Sequence, residues 1–489
     1  MLYSERPQML MVLYFIFAGS VLLFPGRAWQ LAKMASVIAG FIAVSASVWR
    51  VHQGNFELLP TAVGLLAVFI GWIVLGFSER YLIDEANQHA YVAKVLLCLG
   101  LIETVVQTES LVWMFLAWGA LLVTMNRLLL FYPDRPAARW VVIKKTCFDV
   151  LTGLCLFAVL AVMWLQTGKV NVTLADVAVG PHSAWVGFFL AIACVLTTAQ
   201  LPFHGWLIQV MEAPTPVSAL LHAGVVNLAG YILLRLHVLV EYSLAGRYVL
   251  VAVGGITAVC CAFVLMTRIS IKVRLAWSTC AQMGFMLMEC GLGLYSMAVL
   301  HLIGHSLYKA YAFLSSGDSV TDAIKNVFVV RYRRDQIRLN PYHAVFALIM
   351  SLFMVWIVQW IVGLFVTLHE SWMVAVFLAS GLWPLLWLPE GSDNALWRKA
   401  ILQFVGIVLA YWVVSALMSE GLPPAVVSSS NFSWVLALFA LLFVVQLIVW
   451  FQPNSNWVSR WYGWVYNGFY LDDFINQIIR KLPIVKELA

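Results

Sequence analysis

The chain has 489 residues, of which 63% are hydrophobic and 11% charged, with a net charge of +6. At this length a mean hydropathy of +0.90 excludes a soluble globular domain and predicts an all-α polytopic membrane protein, because long apolar runs repeated along a chain read as membrane-spanning helices. The basic charge is spread over the flanks of those runs, which argues against a nucleic-acid partner.

Hydropathy predicts about 15 spans of roughly 20 residues each. They cover residues 9–24, 31–49, 58–77, 91–107, 110–132, 145–166, 184–210 (broken), 216–240, 246–267, 273–292, 295–315, 342–366, 371–389, 400–418 and 433–451. They group into N-terminal helices at 1–90, a first half at 91–240, a second half at 241–418, and a last span with a tail at 419–489. Arginines and lysines crowd alternate loops, which the positive-inside rule places in the cytoplasm. The N-terminus is then outside, the C-terminus cytoplasmic, and the first apolar run a retained span rather than a cleaved signal. No C-x-x-C pair, Walker A motif or dinucleotide glycine motif occurs, so no metal or nucleotide cofactor is expected in this chain.

In chain order, the first ionisable residue deep inside a span is Glu103, about 18 Å along its helix from Tyr91. It reads either as a proton-relay member or as a neutral acid hydrogen-bonded to a neighbouring helix. The basic groups Arg135, Arg139, Lys144 and Lys145 follow span 5; they read as topology determinants or as a docking surface for a cytoplasmic partner. The seventh span is interrupted at Gln200-Leu201-Pro202, since proline removes a backbone donor and clashes with the preceding turn. Pro214 and Pro216 restart the chain, and His222 lies one to two turns into the next span. Broken helices of this kind mark ion sites in transporters.

Lys272 opens span 10, as a snorkelling interface residue or a proton-uptake group. Span 11 carries His301, His305 and Lys309 at four-residue spacing, hence on one helix face. Imidazole titrates near neutrality, and ionisable groups in a hydrocarbon-spanning helix are functional candidates by default, so the row reads as a proton or cation relay. The third member is a lysine, a poor ligand, which argues against a metal site. The loop 316–341 is the most basic, with Arg331, Arg333 and Arg334 at its centre, and is expected to join the docking surface. The tail from Tyr466 has the pattern of a short amphipathic surface helix or docking segment.

The stretches Gln200–Gly224, Arg274–Met286 and His301–Gly317 resemble the antiporter-like proton-translocating subunits of complex I, whose large member is NuoL, and the related MrpA antiporter subunit. That resemblance implies an antiporter-like bundle with inverted repeats. Within the superfamily, Leu128–Ala138, Pro202–Trp206, Met211–Pro214 and Leu221–Asn227 are similar to the DabB family, the membrane subunits of two-component inorganic-carbon accumulation systems. The resemblance implies a cytoplasmic DabA-like partner related to zinc β-carbonic anhydrases, with the zinc and its chemistry in that partner. It further implies that this chain is no enzyme itself, couples the process to a cation gradient, and lies in a bacterial inner membrane.

Three superfamily positions differ. Gly119 follows Trp118 where a Glu is usual, Thr197 stands where a Lys is usual, and residues 342–366 contain no Lys. His222, Lys272, His301, His305 and Lys309 match, so a shorter path with Glu103 as substitute acid is expected. A proton-pumping subunit of a respiratory or hydrogenase complex and a non-conducting anchor for a cytoplasmic enzyme remain the alternative readings.

Overall fold

The computed structural model describes residues 8–54, 57–177, 180, 182–317, 341–364, 372–388, 394–418, 422–423, 429–452 and 455–483. Its order begins α1 (Gln8–Leu23), α2 (Ala28–His52), α3 (Leu58–Tyr81), α4 (Gln88–Gln107), α5 (Leu111–Leu129), α6 (Pro136–Thr167) and α7 (Ser183–Thr197). It continues with the short α8 (Gly205–Gln209) and α9 (Thr215–Leu220), then α10 (Leu228–Arg235), α11 (His237–Glu241), α12 (Leu244–Thr267), α13 (Ile271–Leu292) and α14 (Tyr295–Leu314). Among the described residues the predicted windows fall largely on helix, the window at 184–210 is broken as expected, and the window at 216–240 is broken as well. Among the described residues ten helices are long and apolar enough to cross a membrane, and three shorter apolar helices accompany them.

Local chemistry sets several helix ends. The Ser110 hydroxyl accepts from Trp113 N–H at the start of α5, and the Ser243 hydroxyl accepts from Gly246 N–H at the start of α12. These are side-chain caps that satisfy orphan donors. Pro136 occupies the first turn of α6, where its missing N–H costs nothing, and Gly168 ends that helix with φ 67°.

By contacts the chain divides into two compact units. One comprises Met1–Gly291, His301–Leu314 and Asn467–Ala489; the other comprises Leu292–Leu300 and Ser315–Tyr466. In the first unit α1 packs on α4, α4 on α5, and α7 lies between α6 and α12. The span Thr215–Arg235 is its most enclosed, with 94% of its window buried. By contrast Phe41 of α2 and Phe157 of α6 are 75% and 70% exposed, as befits side chains whose solvent is lipid.

α12 and α13 meet backbone to backbone. A Cβ on Gly254 would stand 2.4 Å from the Gly284 carbonyl oxygen, and one on Gly284 2.6 Å from the Gly254 oxygen. Small residues permit this approach, which is how helices associate where no hydrophobic effect drives them together.

The second unit contains the helices Pro341–Gly363, Trp372–Leu382, Asn394–Met418, Ser429–Phe451 and Asn456–Tyr466. Edge-on aromatic pairs hold it, among them Phe377–Phe439 at 5.8 Å and Trp383–Phe443 at 5.1 Å between centroids. Among its described residues no Asp, Glu, Lys, Arg or His is buried.

The loop after α6 is pinned to the α4–α5 junction. Leu111 N–H donates to Val172 O at 2.9 Å, and Leu174 N–H to Glu109 O at 2.8 Å. Within it Asp176 accepts from the Lys169 ammonium, from Thr173 N–H at 3.0 Å and from the Thr173 hydroxyl at 2.8 Å. These donors hold the Asp176 carboxyl down to about 2. A folded value below the unfolded one, about 3.9, makes the loop's contribution complete above that unfolded value and lost as pH falls through the folded one. Hydrogen-exchange protection of the Leu174 amide is therefore expected to hold down to the unfolded value and decline below it. Asp176→Asn is expected to show the reduced protection at every pH.

Candidate functional site

The break in the seventh span is built from its own polar residues. α7 ends at Thr197, Ala199 has φ 53°, Leu201–Pro202 is cis, and the helix resumes only at Gly205. The freed Leu201 N–H is satisfied by the Thr257 hydroxyl of α12 at 3.1 Å. Gln200 is fully buried; its amide nitrogen donates to Thr198 O at 2.9 Å, and its Oε1 has no partner. Irregular backbone at membrane depth is tolerated because protein groups satisfy it in this way. Pro214 and Pro216 then open α9, and a π-helical turn, Leu221–Val225, interrupts the following span with His222 on it. Such turns occur frequently at functional sites.

α13, α14 and the π-turn bring the ionisable groups into one column. Lys272 is half-buried and donates to the Thr215 hydroxyl at 2.8 Å. Seven residues further along α13, the Thr279 hydroxyl meets His222 Nδ1 of the π-turn at 3.0 Å. The His222 ring is stacked on Phe313, 4.3 Å between centroids. Lys309 is fully buried, donating to Leu275 O at 2.9 Å and to the Ser278 hydroxyl. One turn back along α14, His305 is 4% exposed, and neither ring nitrogen has a partner. Its ring lies 6.1 Å from that of His301, whose Nδ1 is 3.0 Å from Glu289 Oε2. Asn227 donates to the Ser306 hydroxyl at 2.6 Å alongside.

The column thus runs from Lys272 to Glu289, about 26 Å along α13 at 1.5 Å per residue, close to the thickness of a hydrocarbon core. Its alternation of imidazole, hydroxyl, ammonium and carboxylate suits proton transfer along fixed donors and acceptors. Glu289 is the residue that the sequence reading passed over. The signal was present: a lone carboxylate inside the apolar run Met283–Leu292, the same pattern that singled out Glu103.

Glu103 does not join the column by hydrogen bonding. It is fully buried on α4, where Gln107 Nε2 lies 3.4 Å from Oε2, and Oε1 has no partner. Gln107 in turn accepts from Arg50 at 2.9 Å, and Arg50 also reaches the Thr61 hydroxyl at 3.1 Å.

The expected docking surface changes in two places. Lys144 and Lys145 are 0% and 1% exposed, because α6 begins at Pro136 and carries both inward rather than leaving them in a loop. Lys144 pairs with Asp472 of the tail at 2.8 Å, and Lys145 with Asp149 at 2.8 Å beneath Asn126. Neither offers a free charge to a partner. Arg135 stays at the surface, 3.4 Å from Glu212, and Arg139 is likewise exposed. Arg331, Arg333 and Arg334 lie outside the described residues. The tail helix Leu471–Arg480 buries Ile475 and Ile479. Asp472 also accepts from Gln209 of α8 at 3.0 Å, and Arg480 sits 5.2 Å over the Trp140 ring. The tail is therefore a clip on the broken helix of its own chain.

A bundle of apolar helices with a broken span, a π-turn histidine and a buried His-His-Lys row defines an antiporter-type membrane protein. The chain belongs to the NADH:quinone oxidoreductase/Mrp antiporter transmembrane family, matched over residues 108–364. It is 32% identical over 496 aligned positions to a probable inorganic carbon transporter subunit DabB of Hydrogenovibrio crunogenus, an alignment covering 96% of this chain and 93% of that one. It is 38% identical over 300 positions to a probable inorganic carbon transporter subunit DabB2 of Halothiobacillus neapolitanus, covering 56% and 54% of the two chains. Its fold matches the Mrp complex from a Dietzia species with a TM-score of 0.67 at 19% identity, over 98% of this chain and 60% of that chain.

The clip can be tested at Gly205, where an added Cβ would lie 1.5 Å from Asp472 Oδ1. Gly205→Ala is expected to expel the carboxylate and leave Lys144 unpaired. Limited proteolysis of the purified protein should then cut near residue 467 faster than in wild type, and Lys144→Met should do the same.

Proposed function

We propose that this chain is the cation-coupling, specifically proton-coupling, membrane subunit of an energy-coupled complex that accumulates inorganic carbon as CO2 or bicarbonate. The observation that carries the reading is the buried column from Lys272 through His222, Lys309, His305 and His301 to Glu289. A single lysine at the centre of a membrane helix costs about 3 kcal/mol to insert. That is a sizeable part of a protein's net stability of about 5–15 kcal/mol, so a row of such groups asks for a function. Two relatives named as probable inorganic carbon transporter subunits support inorganic carbon as the cargo. Their designation as subunits supports a partner chain, which on this reading is a cytoplasmic zinc protein of the carbonic-anhydrase type. The membrane is the bacterial inner membrane, with the C-terminus cytoplasmic.

In mechanism, protons moving along the column on a transmembrane gradient bias the complex toward hydration and retention of CO2. His222, His305 and Lys309 pass the proton, and the hydroxyls of Thr279 and Ser278 orient His222 and Lys309. Glu103, with Gln107 and Arg50, is an accessory acid reached from the Arg50 side. In cells that express the chain with its partner, labelled bicarbonate uptake is expected to be abolished by an uncoupler. Lys309→Ala and His305→Ala should each lower uptake to that uncoupled level while the complex still assembles. Wild-type uptake in both variants would overturn the proposal.

A further inference from the structure

We propose that Glu289 and His301 form the proton-holding pair that terminates the column at the end opposite Lys272. This deepens the proton-coupling reading and rests on it. Three observations lead to it. Glu289 is 1% exposed and its carboxylate meets His301 Nδ1 at 3.0 Å, so a buried acid and a half-buried base share one hydrogen bond. His301 is 16% exposed at its side chain, which makes it the more accessible member of the pair. Beyond it His305 is enclosed with both ring nitrogens unpartnered, and its ring lies 6.1 Å from that of His301, so the next imidazole is a ready acceptor.

The transfer balances without electrons. The Glu289 carboxyl gives its proton to His301 Nδ1, and the imidazolium so formed releases the other proton from Nε2 toward His305. His301 is left neutral in the opposite tautomer until its ring returns. The 6.1 Å between the two ring centroids suits a relay through one water or a ring rotation. The carboxyl and the imidazole stay hydrogen-bonded whichever of them holds the proton, so the transfer leaves the pair connected.

The other titratable groups around the pair are few. Cys290 follows Glu289 on α13, Cys194 faces it from α7, and His305 and Lys309 follow on α14, with His222 beyond them. Arg247 of α12 is engaged elsewhere, donating Nε to Gly291 O at 3.0 Å. A structural staple between α13 and α14 needs only a hydrogen bond, whereas a proton-holding pair needs an ionisable group. Glu289→Gln separates these roles, since the amide keeps the size and still bonds His301.

The test is uncoupler-sensitive bicarbonate uptake in cells carrying the whole complex, measured across pH for wild type, Glu289→Gln, Glu289→Asp and Lys309→Ala. Glu289→Gln is expected to lose uptake at least tenfold at unchanged abundance, and Glu289→Asp to retain it with a displaced pH profile. Wild-type rate and profile in Glu289→Gln beside an inactive Lys309→Ala overturns this proposal alone. Normal uptake in Lys309→Ala as well overturns the coupling reading beneath it. If Glu289→Gln fails to accumulate, an unmoved pH profile in Glu289→Asp overturns the pair.

Discussion

Every charge placed inside this bundle must find a polar partner before the chain can fold, because lipid supplies none. α13 meets that requirement for the second half of the first unit. It offers the Leu275 carbonyl and Ser278 hydroxyl to Lys309, the Thr279 hydroxyl to His222, and Glu289 to His301. Its own first-turn lysine is received by Thr215. The helix is held in place by glycine contact with α12, so the rail along which the polar groups are strung is also one of the closest backbone crossings in the fold. Rigidity and polarity thus come from opposite sides of one helix.

The break at Pro202 and the π-turn at His222 serve the same constraint. A regular helix through either place would leave His222 and Gln200 at fixed angular positions among apolar neighbours. Unwinding one segment and adding a residue to the next turn re-aims these side chains, and Thr257 satisfies the backbone that the break exposes. The second unit shows the contrast. Its described helices bury no Asp, Glu, Lys, Arg or His and are joined by aromatic contacts.

The helices were legible in the sequence because apolar run length is a property of consecutive residues. The His301–His305–Lys309 face was legible for the same reason, since four-residue spacing needs no knowledge of partners. Lys144 and Lys145 were misread because charge counting weighs a lysine by its distance from a span and not by the direction in which it points; a helix starting at Pro136 turns both inward. Glu289 stood in plain view as a lone acid but belongs to no periodic pattern. The grouping of Glu103 with Arg50 and Gln107, rather than with the column, depends on which of several apolar helices lie side by side, and composition is silent on that.

The pairing of Lys144 with Asp472 spans 328 residues of chain. At a synthesis rate of roughly 5–20 residues per second, α6 reaches the membrane on the order of half a minute before its counter-ion exists. Of the side chains that Lys144 bonds in the folded structure, Gln209 is made long before Asp472. The first unit is therefore a structure with a waiting place in it, complete only when the last helix arrives. The order of synthesis separates this buried charge from its partner until the tail helix is made.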